Sequence, residues 1–196
     1  DYEIARINAG KKSIYENLIA VCHDCFQSYV FKHKKAEEKE LQIIKKLQTD
    51  ARSTRCTLDE VAIEKGITQV IEKLSKAKPD ELTELNYDAV SVPEKIDETL
   101  HHFLVHEVKG NVVKYFLFIK QTMKDMVQKK QLSDDLLRAQ IKESYRKLSD
   151  KKISPELIYS SLSERLRNIT KQDIRFCYIV ISYFIQSCEV FNVTTK

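Results

Sequence analysis

Three glycines, Gly10, Gly66 and Gly110, and three prolines, Pro79, Pro93 and Pro155, are all that this chain of 196 residues contains. Average usage would supply roughly 24 of the two residue types together. Phosphate-cradling loops and the dinucleotide fingerprint both need clustered glycines, and here no two glycines stand closer than 44 residues. Neither motif exists in the chain. Many-stranded sandwiches and barrels also need frequent turns with positive φ, which glycine supplies. A glycine-poor chain rich in Lys, Glu, Leu and Ile therefore points to a mostly α fold.

Apolar residues make up 42% of the chain, enough to close a core. The longest nearly apolar stretch, Phe176 to Ile185, is about half of what spans a bilayer. No charged-then-apolar leader opens the chain, so the expectation is a cytoplasmic protein without a membrane segment. Five cysteines with no regular framework fit a reducing compartment, where thiols serve as core residues or metal ligands. The chain starts at Asp1 rather than Met and reads as a fragment or a trimmed product. The net charge of +4 is mild but unevenly placed. Residues 1–56 carry 11 Lys/Arg against 8 Asp/Glu, and residues 120–152 carry 10 against 5. Both basic stripes are candidates for phosphate contact, and both also suit a solvated helix face.

Tyr2 to Ile7 alternates and is followed by Asn8-Ala9-Gly10, the pattern of a strand and turn. A short apolar run, Leu18 to Val21, leads straight into Cys22-His23-Asp24-Cys25. From Ala36 to Leu47, Leu41, Ile44 and Leu47 predict an amphipathic helix. Thr57-Leu58-Asp59-Glu60 has the form of a capping box for a helix carrying Val61, Ile67, Val70, Ile71 and Leu74, ending near Lys78 before Pro79. A polar connector follows to Val92, and Pro93 can open a long helix running through Ile96 to Met126, bent at Gly110. Further helices are expected over Asp134 to Leu148, from Ser154-Pro155 onward, and over Ile174 to Val190, with Thr170-Lys171-Gln172-Asp173 as its cap. The last segment is apolar nearly all round, the mark of a buried central element if helical; its Ile, Val, Tyr and Phe content equally suits a strand, and helix is preferred because the segment is long for a strand. The expected division is 1–56, 57–85 as linking helix and connector, and 86–196.

The sharpest chemical signal is Glu16-Asn17-Leu18-Ile19-Ala20-Val21-Cys22-His23-Asp24-Cys25. A C-x-x-C turn offers two thiolates at a separation that one tetrahedral zinc can bridge, and a structural site needs two further Cys or His ligands. With its flanking strand and helix, the stretch resembles the second half of an HNH nuclease zinc finger. That resemblance implies a ββα, treble-clef-like unit, with Asn17 as the middle Asn and Cys22 and Cys25 as a Zn²⁺ knuckle. It also implies Mg²⁺ or Mn²⁺ at an active nuclease centre and double-stranded DNA as the partner. Arg6 stands where the family has its general-base His, and Phe26 stands where a His commonly follows the second Cys. A guanidinium keeps its proton, so Arg6 can touch a phosphate but cannot act as the base. Whether the chain is an enzyme is left open by that substitution. The family's first C-x-x-C would fall before Asp1. Lys11, Lys12, Lys34 and Lys35 are the candidate phosphate contacts of the unit.

A second resemblance spans residues 86–191. Asn86-Tyr87-Asp88, Lys95-Ile96, Tyr145-Arg146-Lys147-Leu148, Ile158-Tyr159 and Ser182 to Phe191 are similar to the C-terminal domain of ABC three-component proteins of Lamassu-type antiphage systems. The resemblance implies an effector that docks on an SMC-like ATPase together with a small middle subunit. The fold expected for the whole chain is mostly α, an HNH-like zinc-finger unit followed by an irregular helical bundle. A non-enzymatic helical scaffold or a DNA-binding subunit of such a complex is the alternative. His102 and His106, Cys177 and Cys188, and Met123 and Met126 read as surface or packing residues, and Arg138, Lys142 and Arg146 as a cationic row facing solvent or phosphate.

Overall fold

The element order opens with β1 (Glu3–Arg6), a 3₁₀ turn at Tyr15–Asn17, β2 (Leu18–Val21), α1 (His23–Lys32) and α2 (Lys35–Asp59). It continues with α3 (Ile67–Ser75), a 3₁₀ turn at Pro79–Glu81, α4 (His102–Gln128), α5 (Asp134–Ser149), α6 (Pro155–Thr170) and α7 (Ile174–Gln186). The computed structural model describes residues 2–32, 34–59, 62–85, 92, 95–151, 153–187 and 190–191. The protein is mostly helical with one small antiparallel hairpin. It divides into two compact units, Asp1–Thr54 and Arg55–Lys196, and the division falls within α2.

In the first unit β1 and β2 pair antiparallel, with Glu3 opposite Val21 and Arg6 opposite Leu18. The period-2 alternation places Ala5 and Ile19 on the inner face, where they join Ile7 and Tyr29 of α1 in a small core. Val21, Phe26 and Leu41 pack against it. The Tyr29 hydroxyl donates to the Ile7 carbonyl at 2.6 Å, which gives the buried phenol a partner and pins the helix to the end of β1. On α2 the expected apolar face is only partly used: Leu41 packs on this core, whereas Ile44 and Leu47 are exposed.

α2 also corrects the sequence reading of its end. The helix runs on through the unpatterned stretch Asp50 to Arg55 and includes Thr57, which therefore is not an N-cap. The Thr54 hydroxyl donates to the Asp50 carbonyl at 2.7 Å, a back-bond that lets a hydroxyl sit inside a helix. The Thr57 hydroxyl instead accepts from Lys151, and Glu60 lies outside the described residues. The next helix, α3, begins at Ile67 rather than near Val61 and ends at Ser75.

The second unit is built around α7. Cys177, Val180, Ile181, Phe184 and Ile185 are fully enclosed, and the helix packs on α4 and α6, with α3 against it as well. Burying a side chain such as Phe184 is worth about 1.5–3 kcal/mol. α3 supplies Ile67, Val70, Ile71 and Leu74, an i, i+3, i+4, i+7 stripe that is buried throughout. Met123 and Met126 are buried core residues of α4, as their spacing predicts. α4 starts at His102, so the long helix is shorter at its front than expected. Asp97 caps a turn ahead of it by accepting from the Thr99 amide and hydroxyl. Pro93 lies outside the described residues.

Expected caps recur at the ends of α6 and α7. The Ser154 hydroxyl accepts from the Leu157 amide at 3.3 Å with Pro155 at the first helical position. α6 stops at Lys171, whose φ of 59° takes the left-handed turn. Asp173 then accepts from the Arg175 amide at 2.9 Å to start α7. Lys95 is buried and donates through Nζ to the Ile185 and Gln186 carbonyls, satisfying acceptors that the end of α7 leaves open. Tyr159 of α6 shares a hydrogen bond with Ser182 of α7 at 2.9 Å, and Asn111 of α4 donates to Ser182 at 3.2 Å. Burial pushes the Tyr159 phenol well above its ordinary pKa. The Tyr145 and Phe191 rings meet edge to face, 5.3 Å between centroids.

Candidate functional site

The hairpin of the first unit carries a loop whose shape rests on one side chain. Asn17 is the last residue of the 3₁₀ turn, is 7% exposed, and turns its amide back into the loop. Its Nδ2 donates to the Asn8 carbonyl at 2.9 Å and the Lys12 carbonyl at 3.1 Å, with the Lys11 carbonyl at 3.5 Å, while its Oδ1 accepts from the Asn8 amide at 2.9 Å. A buried amide has few ways to satisfy both ends, and here the loop backbone does so. The consequence is a fixed loop in which Lys11 and Lys12 are gripped by their carbonyls and leave exposed side chains. Arg6 stands at the end of β1, exposed, and its guanidinium makes no hydrogen bond or ion pair with the described residues.

The Asn8 side chain links this loop to α2. Its Nδ2 donates to Glu38 at 2.5 Å and its Oδ1 accepts from the Gly10 amide at 2.9 Å. The first turn of α2, with Lys34 and Lys35 leading into it, is thereby brought to the same loop. The Lys34 amide is capped by Glu37 at 3.1 Å, and both lysine side chains are exposed.

Tyr15, Lys45 and Arg52 form a further part that sequence patterning misses. The Lys45 ammonium lies 3.6 Å from the centroid of the Tyr15 ring, and the Arg52 guanidinium lies 5.2 Å from it. A hydrogen bond from Arg52 is the main reason that the Tyr15 phenol is held below its ordinary pKa. Lys45 and Arg52 are seven residues apart, two turns of one helix, a relation visible only if α2 continues past Leu47.

Cys22 and Cys25 straddle the first turn of α1, where the Cys22 carbonyl accepts from the Phe26 amide at 2.9 Å. Both thiols are exposed. The Cys25 amide directed at the Cys22 sulfur, and then the Cys25 thiol, pull the Cys22 pKa below its ordinary value. The partner Cys25 is raised, chiefly because its thiol donates to Cys22. Phe26, at the place of a family His, packs on the small core. His23 pairs with Glu3 at 2.9 Å. Among the described residues no group of three or more Cys, His, Asp or Glu is arranged to hold a metal ion. His33 lies outside them.

In the second unit the residues that carried the other resemblance make packing contacts: Lys95 with the end of α7, Tyr159 with Ser182, Tyr145 with Phe191. Asn86, Tyr87, Asp88, Cys188 and Glu189 lie outside the described residues. His102 and His106 are exposed neighbours on α4, and Cys177 is buried with its thiol pushed up to about 11. The cationic row is partly neutralised, since Arg138 pairs with Asp134 at 2.8 Å and Arg146 with Glu143 at 2.9 Å. Among the described residues no helix is long and apolar enough to cross a membrane.

Residues 54–191 match the family described as C-terminal domain 11 of the ABC-three component (ABC-3C) systems. No curated protein and no solved structure matches the chain.

Proposed function

Because the chain belongs to the C-terminal domain 11 family of ABC-three component defence systems, we propose that it is an effector subunit whose first unit grips double-stranded DNA. Its helical second unit docks on the SMC-like ATPase and the small middle subunit of the system. The observation that carries the DNA reading is the Asn17 clamp, which fixes a loop presenting Lys11 and Lys12; Arg6, at the end of β1, is exposed and makes no hydrogen bond or ion pair with the described residues. A preset cationic loop binds phosphate without first ordering itself.

The second reading, an HNH-type endonuclease, is favoured by the hairpin-then-helix layout and by the position of Asn17 at the start of β2. Asn17 would then act by holding the loop, since its amide is spent on backbone. Arg6 would contact the phosphate rather than take a proton, so the base must come from elsewhere. Mg²⁺ or Mn²⁺, when bound, would supply charge stabilisation to such a centre. Cys22 and Cys25 fit two corners of a tetrahedral Zn²⁺ site, since both are exposed on one turn.

Binding of a DNA duplex at stepped salt concentrations tests the proposal. If Arg6, Lys11, Lys12, Lys34 and Lys35 each neutralise one phosphate, the slope of log K against log salt is about −4.5, and affinity drops roughly 500-fold between 50 and 200 mM salt. Charge reversal at Lys11 and Lys12 should flatten that slope by about 2. An unchanged slope removes the DNA reading. Plasmid nicking with Mg²⁺ or Mn²⁺ that vanishes in Asn17→Ala separates nuclease from binder, and zinc content lost in Cys22→Ser/Cys25→Ser tests the knuckle.

A further inference from the structure

The second basic stripe, residues 120–152, folds part of itself into a concavity. Lys120, Lys124, Lys130 and Arg138 all line a cleft of about 850 Å³ formed by the end of α4, the turn that follows and the start of α5. Its floor is apolar: Met123 and Leu132 are buried, Tyr183 of α7 is 3% exposed, and Val127 shows 40% of its surface.

The charges are unequal in freedom. Arg138 is held in place, donating to Asp134 at 2.8 Å and to the Tyr183 hydroxyl at 2.8 Å. Lys120, Lys124 and Lys130 are exposed at the rim and make no ion pair with the described residues. Of the lining carboxylates, Asp134 is taken up by Arg138, and Glu64 accepts from the Gly66 amide at 2.5 Å. Asp135 sits in the first turn of α5, where it answers the positive end of that helix. Four cations face three carboxylates along the lining, so the cleft is net cationic by one charge and favours an anion at its rim.

An inorganic anion would use the rim and waste the floor. A purely apolar ligand would do the reverse. The volume falls in the range of small-molecule and cofactor sites, far larger than one phosphate group requires. We propose that this cleft binds a nucleotide-class organic phosphate, with its phosphates among Lys120, Lys124 and Lys130 and its flat ring against Val127. The site is separate from the DNA-binding loop of the first unit and stands or falls independently of it.

Isothermal titration of the full chain with ATP, AMP, adenosine and inorganic pyrophosphate tests the inference. Both nucleotides should bind, with adenosine at least tenfold weaker than AMP. Lys124→Glu/Lys130→Glu, at exposed positions and with an unchanged melting curve, should weaken ATP at least tenfold. Val127→Asn, which adds polarity but no charge, should weaken ATP while leaving pyrophosphate as it was, which separates floor from rim. Absence of binding by either nucleotide overturns the proposal, as does binding that survives the lysine reversals. Pyrophosphate binding as tight as ATP, or a glutamate-rich peptide preferred over both nucleotides, overturns it too.

Discussion

The same one-methyl substitution at two of the three glycines should move stability in opposite directions. Gly66 precedes α3 with φ of −57° and ψ of −22°, a conformation open to alanine. Reduced freedom of the unfolded chain would therefore favour Gly66→Ala by about 0.4–1 kcal/mol. Space forbids it. A Cβ there would stand 2.6 Å from the Gln131 carbonyl oxygen, 2.7 Å from Leu132 Cδ1 and 2.8 Å from Glu64 Oε2. The first of these is backbone in the α4–α5 turn and cannot step aside cheaply. Overpacking of this kind costs about 1–3 kcal/mol, so the net expectation is a loss of about 1–2 kcal/mol. Among the described residues, nothing stands within 4 Å of where a Cβ would sit on Gly110, in the middle of α4. Gly110→Ala gains the helix propensity difference, about 0.8–1 kcal/mol, with no contact to offset it. For a chain of this size each kcal/mol moves the melting temperature by about 2–4 °C. Thermal unfolding followed by far-ultraviolet circular dichroism should thus show Gly110→Ala melting a few degrees above the parent and Gly66→Ala several degrees below. Gly66→Ala melting at or above the parent would show that the turn after α4 yields, and the close-packing argument would fail. Gly110→Ala melting lower would refute the reading of α4 as an uncrowded continuous helix.

Lys95→Met removes the donor from two carbonyls at the end of α7 and should cost about 1–3 kcal/mol in denaturant titrations. Lys95→Arg should recover part of that loss, and a Met variant as stable as the parent would mean that the capping is not needed. Asp173 is held down to about 2, below the ordinary value near 4, by the Arg175 side chain first and the Arg175 amide second. Its contribution is therefore complete above about pH 4 and drains away as pH falls through about 2. Asp173→Asn keeps the capping oxygen and deletes the charge, so its melting temperature should fall less steeply than the parent's between pH 4 and 2. Parallel curves would rule out the ion pair as a source of acid lability.

Much of this architecture is legible in the residues, and what is not has identifiable physical causes. The hairpin follows from alternation over Tyr2 to Ile7, and α6 and α7 start where Ser154 and Asp173 can cap them. α2 hides its true end because Asp50 to Arg55 has no apolar period. The helix continues there with the Thr54 hydroxyl satisfied by the Asp50 carbonyl, an arrangement that leaves no hydrophobic signature. The same gap conceals Lys45 and Arg52 as partners of Tyr15. Lys95, Tyr159 and Ser182 stand out as motif residues, but only folding shows that they cap and pair rather than react. Asn17 is legible through its place before β2, while the four backbone groups that it holds belong to residues 8 to 12 and emerge only from the turn of the loop.

α7 is greasy on nearly every side, and a helix of that kind resembles a smooth shaft: it will seat in an oily socket at many rotational settings. Ser182 cuts a keyway into it. The Tyr159 hydroxyl and the Asn111 amide fit that slot at one angle, and turning the shaft would strand polar atoms in oil. Removing the hydroxyl, as in Ser182→Ala, would leave the shaft as greasy as before yet free to be mounted wrongly. Its cost would then show as a second set of aromatic resonances more than as a lower melting point.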